Sequence, residues 1–356
     1  MTAESKTNTC TGGILSLVMF TAMAIAFSSC TSPTPPPPPG VDTTSHEFMW
    51  RIDTLGDGSS STLYDVTIIN DTLAYAVGEI YLKDSTGQFE PNAWNAARWN
   101  GQRWQLLRIP FIGPCAIVIY PPIKAICALS VTTIFVSNGG SIVRFDGSNA
   151  TMDCGMNASL TGAINKLLAT SSSNVFAVGN SGTIVHYNGS AWHKIESGTT
   201  SDFRDIWGAD RIVAVASSPS ETKILVLSDQ SVTDLLPWPA AYRLRGAWVS
   251  PSLSIYASGY GIWKFTGSSW QLMDGVPATI FYTASIRGNG DNDIFTGAWG
   301  GVLMHYNGKS WHTFTEIPSA FSFYSLAVKH NTVAAVGFTG GLFVDKAAVV
   351  IGRRLN

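Results

Sequence analysis

The sequence predicts an all-β fold, a seven-bladed β-propeller of four-stranded blades closed by an N-terminal strand. Three observations predict it. Thirty-four Gly and twelve Trp accompany only 13% charged residues, and short runs rich in Val, Ile, Thr and Tyr alternate with turn residues, as strands and hairpins require. A turn with an aromatic two residues before Gly recurs as Arg98-Trp99-Asn100-Gly101, Arg144-Phe145-Asp146-Gly147, His186-Tyr187-Asn188-Gly189, Lys264-Phe265-Thr266-Gly267 and His305-Tyr306-Asn307-Gly308. Finally, apolar first strands align on Val66, Ile126, Leu167, Ile206, Ala247, Ile286 and Leu326, with gaps of 60, 41, 39, 41, 39 and 40 residues. A repeat period near forty residues is that of propeller blades.

Taken in order, the 356-residue chain divides into residues 1–29, residues 30–45 and residues 46–356. The first part reads as a targeting segment. Lys6 gives a weak basic end, and Ile14 to Phe27 is an apolar core too short to span a bilayer comfortably. The second carries Pro33, Pro35 and the run Pro36 to Pro39 before Gly40, a composition that forms a stiff extended spacer and packs no core. The third holds the repeats, and the ring is expected to be a monomer.

The reference unit is Val175 to Trp192, a meander of strand, Asn/Ser/Gly turn, strand, Asn-Gly turn and the start of a third strand. Second strands fall in phase at Ala76-Val77-Gly78, Ala177-Val178-Gly179, Ala257-Ser258-Gly259 and Ala335-Val336-Gly337. Blade four is degenerate: Ile212 to Ala216 and Lys223 to Leu227 read as strands, but the aromatic turn is missing. The last repeat lacks a fourth strand, and Phe48-Met49-Trp50-Arg51-Ile52-Asp53 has the look of one. Those residues are expected to complete the last blade and hide two sheet edges.

Two resemblances follow from these residues. Phe27-Ser28-Ser29-Cys30 resembles the lipobox of bacterial lipoproteins, with Phe27 where Leu is usual. It implies cleavage before Cys30 and Cys30 as lipid anchor, with the outer membrane as default because Thr31 is not Asp. An ordinary secretory signal with an incidental cysteine is the alternative. Residues 46–356 resemble bacterial β-propeller repeat proteins with units near N-D-[IV]-[FY]-A-V-G-x-x-G-T-I-x-H-Y-[ND]-G-x-x-W. Among these the chain is most similar to uncharacterised envelope propeller lipoproteins of Bacteroidetes-like bacteria, and more distantly to photosystem assembly-factor and BNR-type propellers. The resemblance implies a fold and an exported, anchored location, and carries over no catalytic residue.

A net charge of −2 offers no basic patch for nucleic acid. The pairs His186/His193 and His305/His312 are spaced alike because the repeat is inherited, so no metal and no cofactor is expected. Arg204, Arg245 and Arg287 fall near first-strand starts, around the channel, but sialidase-type boxes survive only as fragments such as Ser181-Gly182-Thr183. Lys124, Arg204, Asp205 and Arg245 are candidates for the channel mouth. Structural pairing of such arginines with Asp65 and Asp205 is the plainer expectation, and no catalytic residue is assigned.

Departures from the repeat point to a site more strongly. Blade one carries an insertion with Tyr81, Lys83, Asp84, Phe89, Glu90 and Trp94, and a second, with Phe111 and Tyr120, joins blade one to blade two. Second-to-third and blade-to-blade connections emerge on one face of a propeller, so both insertions belong there. Inserted loops on a rigid scaffold are where binding resides; the alternative is that they merely cap blade ends. Cys127 reads as a small buried hydrophobe, while Cys115 and Cys154 lie in loop sequence where a Cys115–Cys154 bridge is one option and free thiols the other. Four Asn-x-Ser/Thr sequons, at Asn70, Asn149, Asn157 and Asn188, arise from turn composition. The function expected is a membrane-anchored, non-catalytic binding or scaffolding module whose partner is an envelope protein or a glycan. The alternative is a glycosidase-like enzyme using the central pocket.

Overall fold

Apolar residues alternating along short runs, punctuated by tight turns, fold as antiparallel meanders, and the computed structural model shows seven of them. It describes residues 43–112, 117–153, 160–235, 238, 243–276, 282–340 and 345–355; Cys30, Cys115 and Cys154 lie outside these. Among the described residues no helix is long and apolar enough to cross a membrane. The chain opens with β1 (Phe48–Leu55), then forms blade one from β2 (Thr62–Asn70), β3 (Leu73–Ile80), β4 (Trp94–Trp99) and β5 (Trp104–Leu107). A two-stranded hairpin, β6 (Phe111–Ile112) and β7 (Val118–Ile119), leads to blade two: β8 (Ala125–Ser130), β9 (Thr133–Ser137), β10 (Ile142–Phe145) and β11 (Ala150–Asp153).

Blade three is β12 (Ile164–Ser171), β13 (Asn174–Gly179), β14 (Ile184–Tyr187) and β15 (Trp192–Lys194). Blade four is β16 (Phe203–Gly208), β17 (Ile212–Ser217), β18 (Thr222–Leu227) and β19 (Val232–Asp234). Blade five is β20 (Leu244–Val249), β21 (Ile255–Gly259), β22 (Gly261–Phe265) and β23 (Trp270–Leu272). Blade six is β24 (Thr283–Gly290), β25 (Asp293–Ala298), β26 (Leu303–Tyr306) and β27 (Trp311–Thr313). Blade seven takes β28 (Phe321–Lys329), β29 (Thr332–Thr339) and β30 (Ala347–Arg354) from the C-terminus, and β1 from the N-terminus. All seven aligned positions, Val66 through Leu326, fall in the innermost strands.

The third-turn chemistry explains the recurring Asn or Asp. Asn188 Oδ1 accepts the amides of Ser190 and Ala191, each at 3.0 Å, and Asn307 Oδ1 accepts those of Lys309 and Ser310 at 3.0 and 2.9 Å. The next residue, Gly189 or Gly308, holds φ at +94° or +92°, a region open to Gly at no steric cost. In blade four, which lacks the motif, the Ser228 hydroxyl accepts the amide of Ser231 at 3.2 Å instead. A weaker side-chain acceptor serves the same turn.

Closure follows the expected route. β1 runs antiparallel to β30, from Phe48 opposite Arg354 to Leu55 opposite Ala347. Phe48 and Trp50 stack at 5.5 Å and both pack against Phe314. Trp50 lies over Gly352, where a Cβ would come within 2.4 Å of the indole; only Gly lets the strap seat. Hydrophobic clusters fill the wedges between neighbouring blades, for example Leu63 and Val66 of blade one with Val336 and Val349 of blade seven. Inter-blade apolar burial of this kind is the main term holding a propeller together.

One local irregularity positions the site. Six inner strands carry a register shift at the same place, between Leu63/Asp65, Ile164/Lys166, Phe203/Asp205, Leu244/Gly246, Thr283/Ser285 and Phe323/Ser325. The skipped residue is Tyr64, Asn165, Arg204, Arg245, Ala284 or Tyr324. In blade two Lys124 holds the same place, just before β8, with its amide on the Ser137 carbonyl at 2.7 Å. A bulge leaves its extra residue unpaired and re-aims the side chain.

Candidate binding face

The bulged residues stand where the inner strands begin, on the face shared by second-to-third and blade-to-blade connections. They form the rim of the channel there. Tyr64 and Tyr324 stack at 6.1 Å with planes 19° apart, and Tyr324 packs on Phe338 at 5.3 Å. Tyr282, just ahead of β24, meets Tyr260 at 5.3 Å and Trp299 at 6.1 Å, both edge-on. Arg245 lies over the Tyr282 ring at 4.9 Å, and its Nε donates to the Tyr282 hydroxyl. Lys124 sits over Tyr64 at 3.5 Å and 3.9 Å from a Glu79 oxygen. An aromatic arc with two cations thus runs from blade one through blade seven to blades six and five.

Charge on the rim is largely answered locally. Glu79 accepts hydroxyls from Tyr64 and, at 2.8 Å, from Tyr81. Burial and this carboxylate push the Tyr81 phenol up to about 12 and the Tyr64 phenol higher still, so both remain hydrogen donors. Burial lowers the Lys124 ammonium below its usual value, against the pull of Glu79. Arg204 pairs with Asp202 at 3.0 Å. Arg245, by contrast, is held by the ring and hydroxyl of Tyr282. It borders a cleft of about 180 Å³ lined also by Asp202, Arg204, Arg243 and Tyr282.

One residue further along each strand, the side chains turn into the channel. Asp65 receives Lys166 Nζ from blade three at 2.5 Å, the Ser325 hydroxyl from blade seven at 2.7 Å and the Ile126 amide from blade two at 3.0 Å. Asp205 receives both terminal nitrogens of Arg287 from blade six, at 2.7 and 2.8 Å, and the Ala247 amide from blade five at 3.1 Å. Arg287 also lies over Trp207 at 4.2 Å. These ion pairs are chords across the ring, each joining blades that are not neighbours. Below them a cavity of about 290 Å³ is lined by Cys127, Lys166, Leu168, Trp207 and Arg287 among others. Cys127 is a free thiol, and burial pushes its pKa up, so it stays neutral.

The blade-one insertion is a built loop. Lys83 and Phe89 form a β-bridge, with the Lys83 ammonium 5.3 Å from the Phe89 ring. Asp84 caps the turn between them, accepting the amides of Thr86 and Gln88 at 2.8 and 3.1 Å and the Thr86 hydroxyl at 2.6 Å. These bonds hold its carboxyl below the usual range. Arg108 pairs with Glu90, lies 4.1 Å over Trp94 and donates to the Asn92 carbonyl at 2.7 Å. Trp94 Nε1 donates to Glu90 at 3.2 Å. Phe89 remains 41% exposed.

Two expectations are corrected here. Phe111 is not an exposed binding aromatic: at 1% exposure it fills the wedge between blades one and two with Tyr75, Ile109 and Ile123. The exposed side chains of that hairpin are Ile112, Ile117, Val118 and Ile119, while Tyr120 is half-buried beside Pro121, whose carbonyl accepts Asn95 Nδ2 at 3.0 Å. Asp205, expected at the mouth, is withdrawn into the channel wall because the bulge aims Arg204 outward and its successor inward. Arg287, 2% exposed, pairs with Asp205, the plainer expectation for the arginines around the channel. The structure brings Tyr81, Lys124, Arg204 and Arg245 to one face with the insertion. Tyr64, Tyr260, Tyr282, Trp299, Tyr324 and Phe338 were missed, although Tyr64 and Tyr324 occupy the same repeat position as Lys124 and Arg245. The two histidine pairs sit opposite each other across strands, and among the described residues no group of three or more His, Cys, Asp or Glu could hold a metal ion.

Comparison with solved structures returns propellers. The chain is similar to YCF48 bound to D1 peptide (13% identity, 86% of this chain and 96% of that one, TM-score 0.62). It is likewise similar to YCF48 from Cyanidioschyzon merolae (12%, 86% and 98%, 0.59) and to the structure of U3-55K (10%, 85% and 98%, 0.62). At these identities the likeness is one of fold. No protein-family model and no curated protein sequence matches the chain.

Proposed function

We propose that this chain is a non-catalytic binding propeller of the bacterial cell envelope, anchored through Cys30, that takes a polypeptide partner on the face carrying the aromatic rim and the blade-one insertion. The observation that carries the reading is the rim itself. Bulges aim Tyr64, Arg204, Arg245 and Tyr324 at one opening, Lys124 holds the same repeat position ahead of β8, and Trp299 stands beside them 52% exposed. Aromatic and Arg side chains presented on a rigid frame are what protein-recognition hot spots use. A propeller of the same fold bound to D1 peptide supports polypeptide over glycan. The strap begins on the opposite face, where the Thr44 amide donates to the Asn307 carbonyl at 3.3 Å.

The glycosidase-like alternative needs two carboxyl groups open to the same pocket. In the central channel, Asp65 and Asp205 are instead buried in ion pairs, and Glu79 on the rim is committed to two tyrosines. Capture from envelope extracts by the full-length protein tests the proposal. Trp299→Ala and Tyr324→Ala are expected to lose the captured partner, while Leu253→Ala, on a first-to-second turn of the opposite face, retains it. Equal retention by all three would contradict it. Cys30→Ala is expected to move the protein from the membrane to the soluble fraction, and unchanged fractionation would remove the anchor from the account.

A further inference from the structure

The N-terminal strap is held by a cluster of ionisable groups that the binding reading does not use. Five elements meet there. His46 stands on the strap just before β1. His305 of β26 is fully buried and His312 of β27 lies beside it; the His46 ring is 4.7 Å from the first and 5.1 Å from the second. Asp293 of β25 and Arg354 of β30 complete the group, and these two pair with each other. Glu47, next along the strap, is exposed.

With His305 neutral, as its burial favours, the hydrogen bonds set the tautomers. His305 Nε2 lies 2.8 Å from Asp293 Oδ1 and donates to it. His305 Nδ1 is then a lone pair, and it faces His46 Nδ1 at 2.8 Å, which must carry the hydrogen. His46 Nε2 is consequently a lone pair too, and it is buried with no hydrogen-bond partner among the described residues. A proton added there would be a buried N–H without an acceptor, on a ring already beside Arg354. The arrangement accepts neutral His46 and rejects charged His46.

We propose that this cluster is an acid-sensitive latch: above neutral pH it locks residues 43–55 onto blades six and seven, and protonation of His46 releases the strap and so opens the ring closure. The sign follows from linkage. Burial, then His305, His312 and Arg354, lower the seated His46 pKa from 6.5 to about 4, while a released strap regains the ordinary value. The released state therefore binds the extra proton. Latch stability is complete above about pH 6.5, declines as pH falls toward 4, and has no further His46 dependence below that. At pH 5 the opening constant is expected to rise on the order of thirtyfold over pH 7.5. Burial also lowers the His305 value, against the pull of Asp293, which acts in the same direction.

Hydrogen exchange of the full chain, read by mass spectrometry on peptides covering residues 43–55 and corrected for intrinsic rates, tests the latch. In the wild type, strap protection is expected to fall severalfold to tens-fold from pH 7.5 to 5, while the blade-three strand Asn174–Gly179 stays protected. His46→Asn places an amide N–H where Nδ1 stood and cannot titrate, so the pH dependence of its strap protection is expected to fall severalfold, leaving only the His305 contribution. A pH-independent strap in the wild type, or an undiminished pH dependence in His46→Asn, would overturn the proposal. Loss of protection in blade three in step with the strap would do so as well, since it would report global acid unfolding.

Discussion

Arg245 and Arg287 sit in adjacent blades, on adjacent inner strands, and do opposite things. Arg245 is the bulged residue of β20, raised to the rim, lying over the Tyr282 ring and donating to its hydroxyl. Arg287 lies just past the aligned Ile286 of β24, inside the channel, doubly hydrogen-bonded to Asp205 and closed over by Trp207. Depth along the strand decides the difference. The rim position leaves a cation partly exposed at the opening, and the positions below it use charge to tie distant blades together. A residue type alone therefore says little in this ring; its place relative to the bulge says most of it.

Substitution separates the two roles. Arg287→Ala strands the Asp205 carboxylate in the wall, and breaking a buried pair this way costs about 3–5 kcal/mol, which thermal or denaturant unfolding would register as a large drop. Arg245→Ala removes one rim cation–π contact, expected to be worth about 0.5–1 kcal/mol, so its melting should stay close to wild type. A large loss of stability in Arg245→Ala would place it among the structural bolts and blur the distinction. A mild effect in Arg287→Ala would mean that water or rearrangement satisfies Asp205.

Much of the ring was legible because repetition is a strong signal. The gaps between aligned first strands, the Asn-Gly turns and the Trp50-bearing strap all follow from packing rules that act identically in each blade. The rim was legible in part. Lys124, Arg204 and Arg245 announce themselves by charge, whereas Tyr64 and Tyr324 read as ordinary strand aromatics until the bulge shows which way they point. A bulge shifts one residue by one place, and period-two alternation then assigns the wrong face; that is why Asp205 was expected at the mouth. Phe111 was misplaced for a different reason. Its hairpin folds back so that this ring plugs a wedge, leaving isoleucines and Val118 outside. The histidines reversed the usual lesson: His186 and His305 were inherited together, but only His305 met a strap residue, His46, able to make it part of a latch.

The most direct test of the account places a photo-crosslinking amino acid at Trp299 on the rim or at Leu253 on the opposite face, in the full-length protein expressed in cells. The account predicts a discrete crosslinked polypeptide from position 299 and none from position 253. Crosslinking from 253 alone, or equally from both, would contradict the assignment of the rim as the binding face.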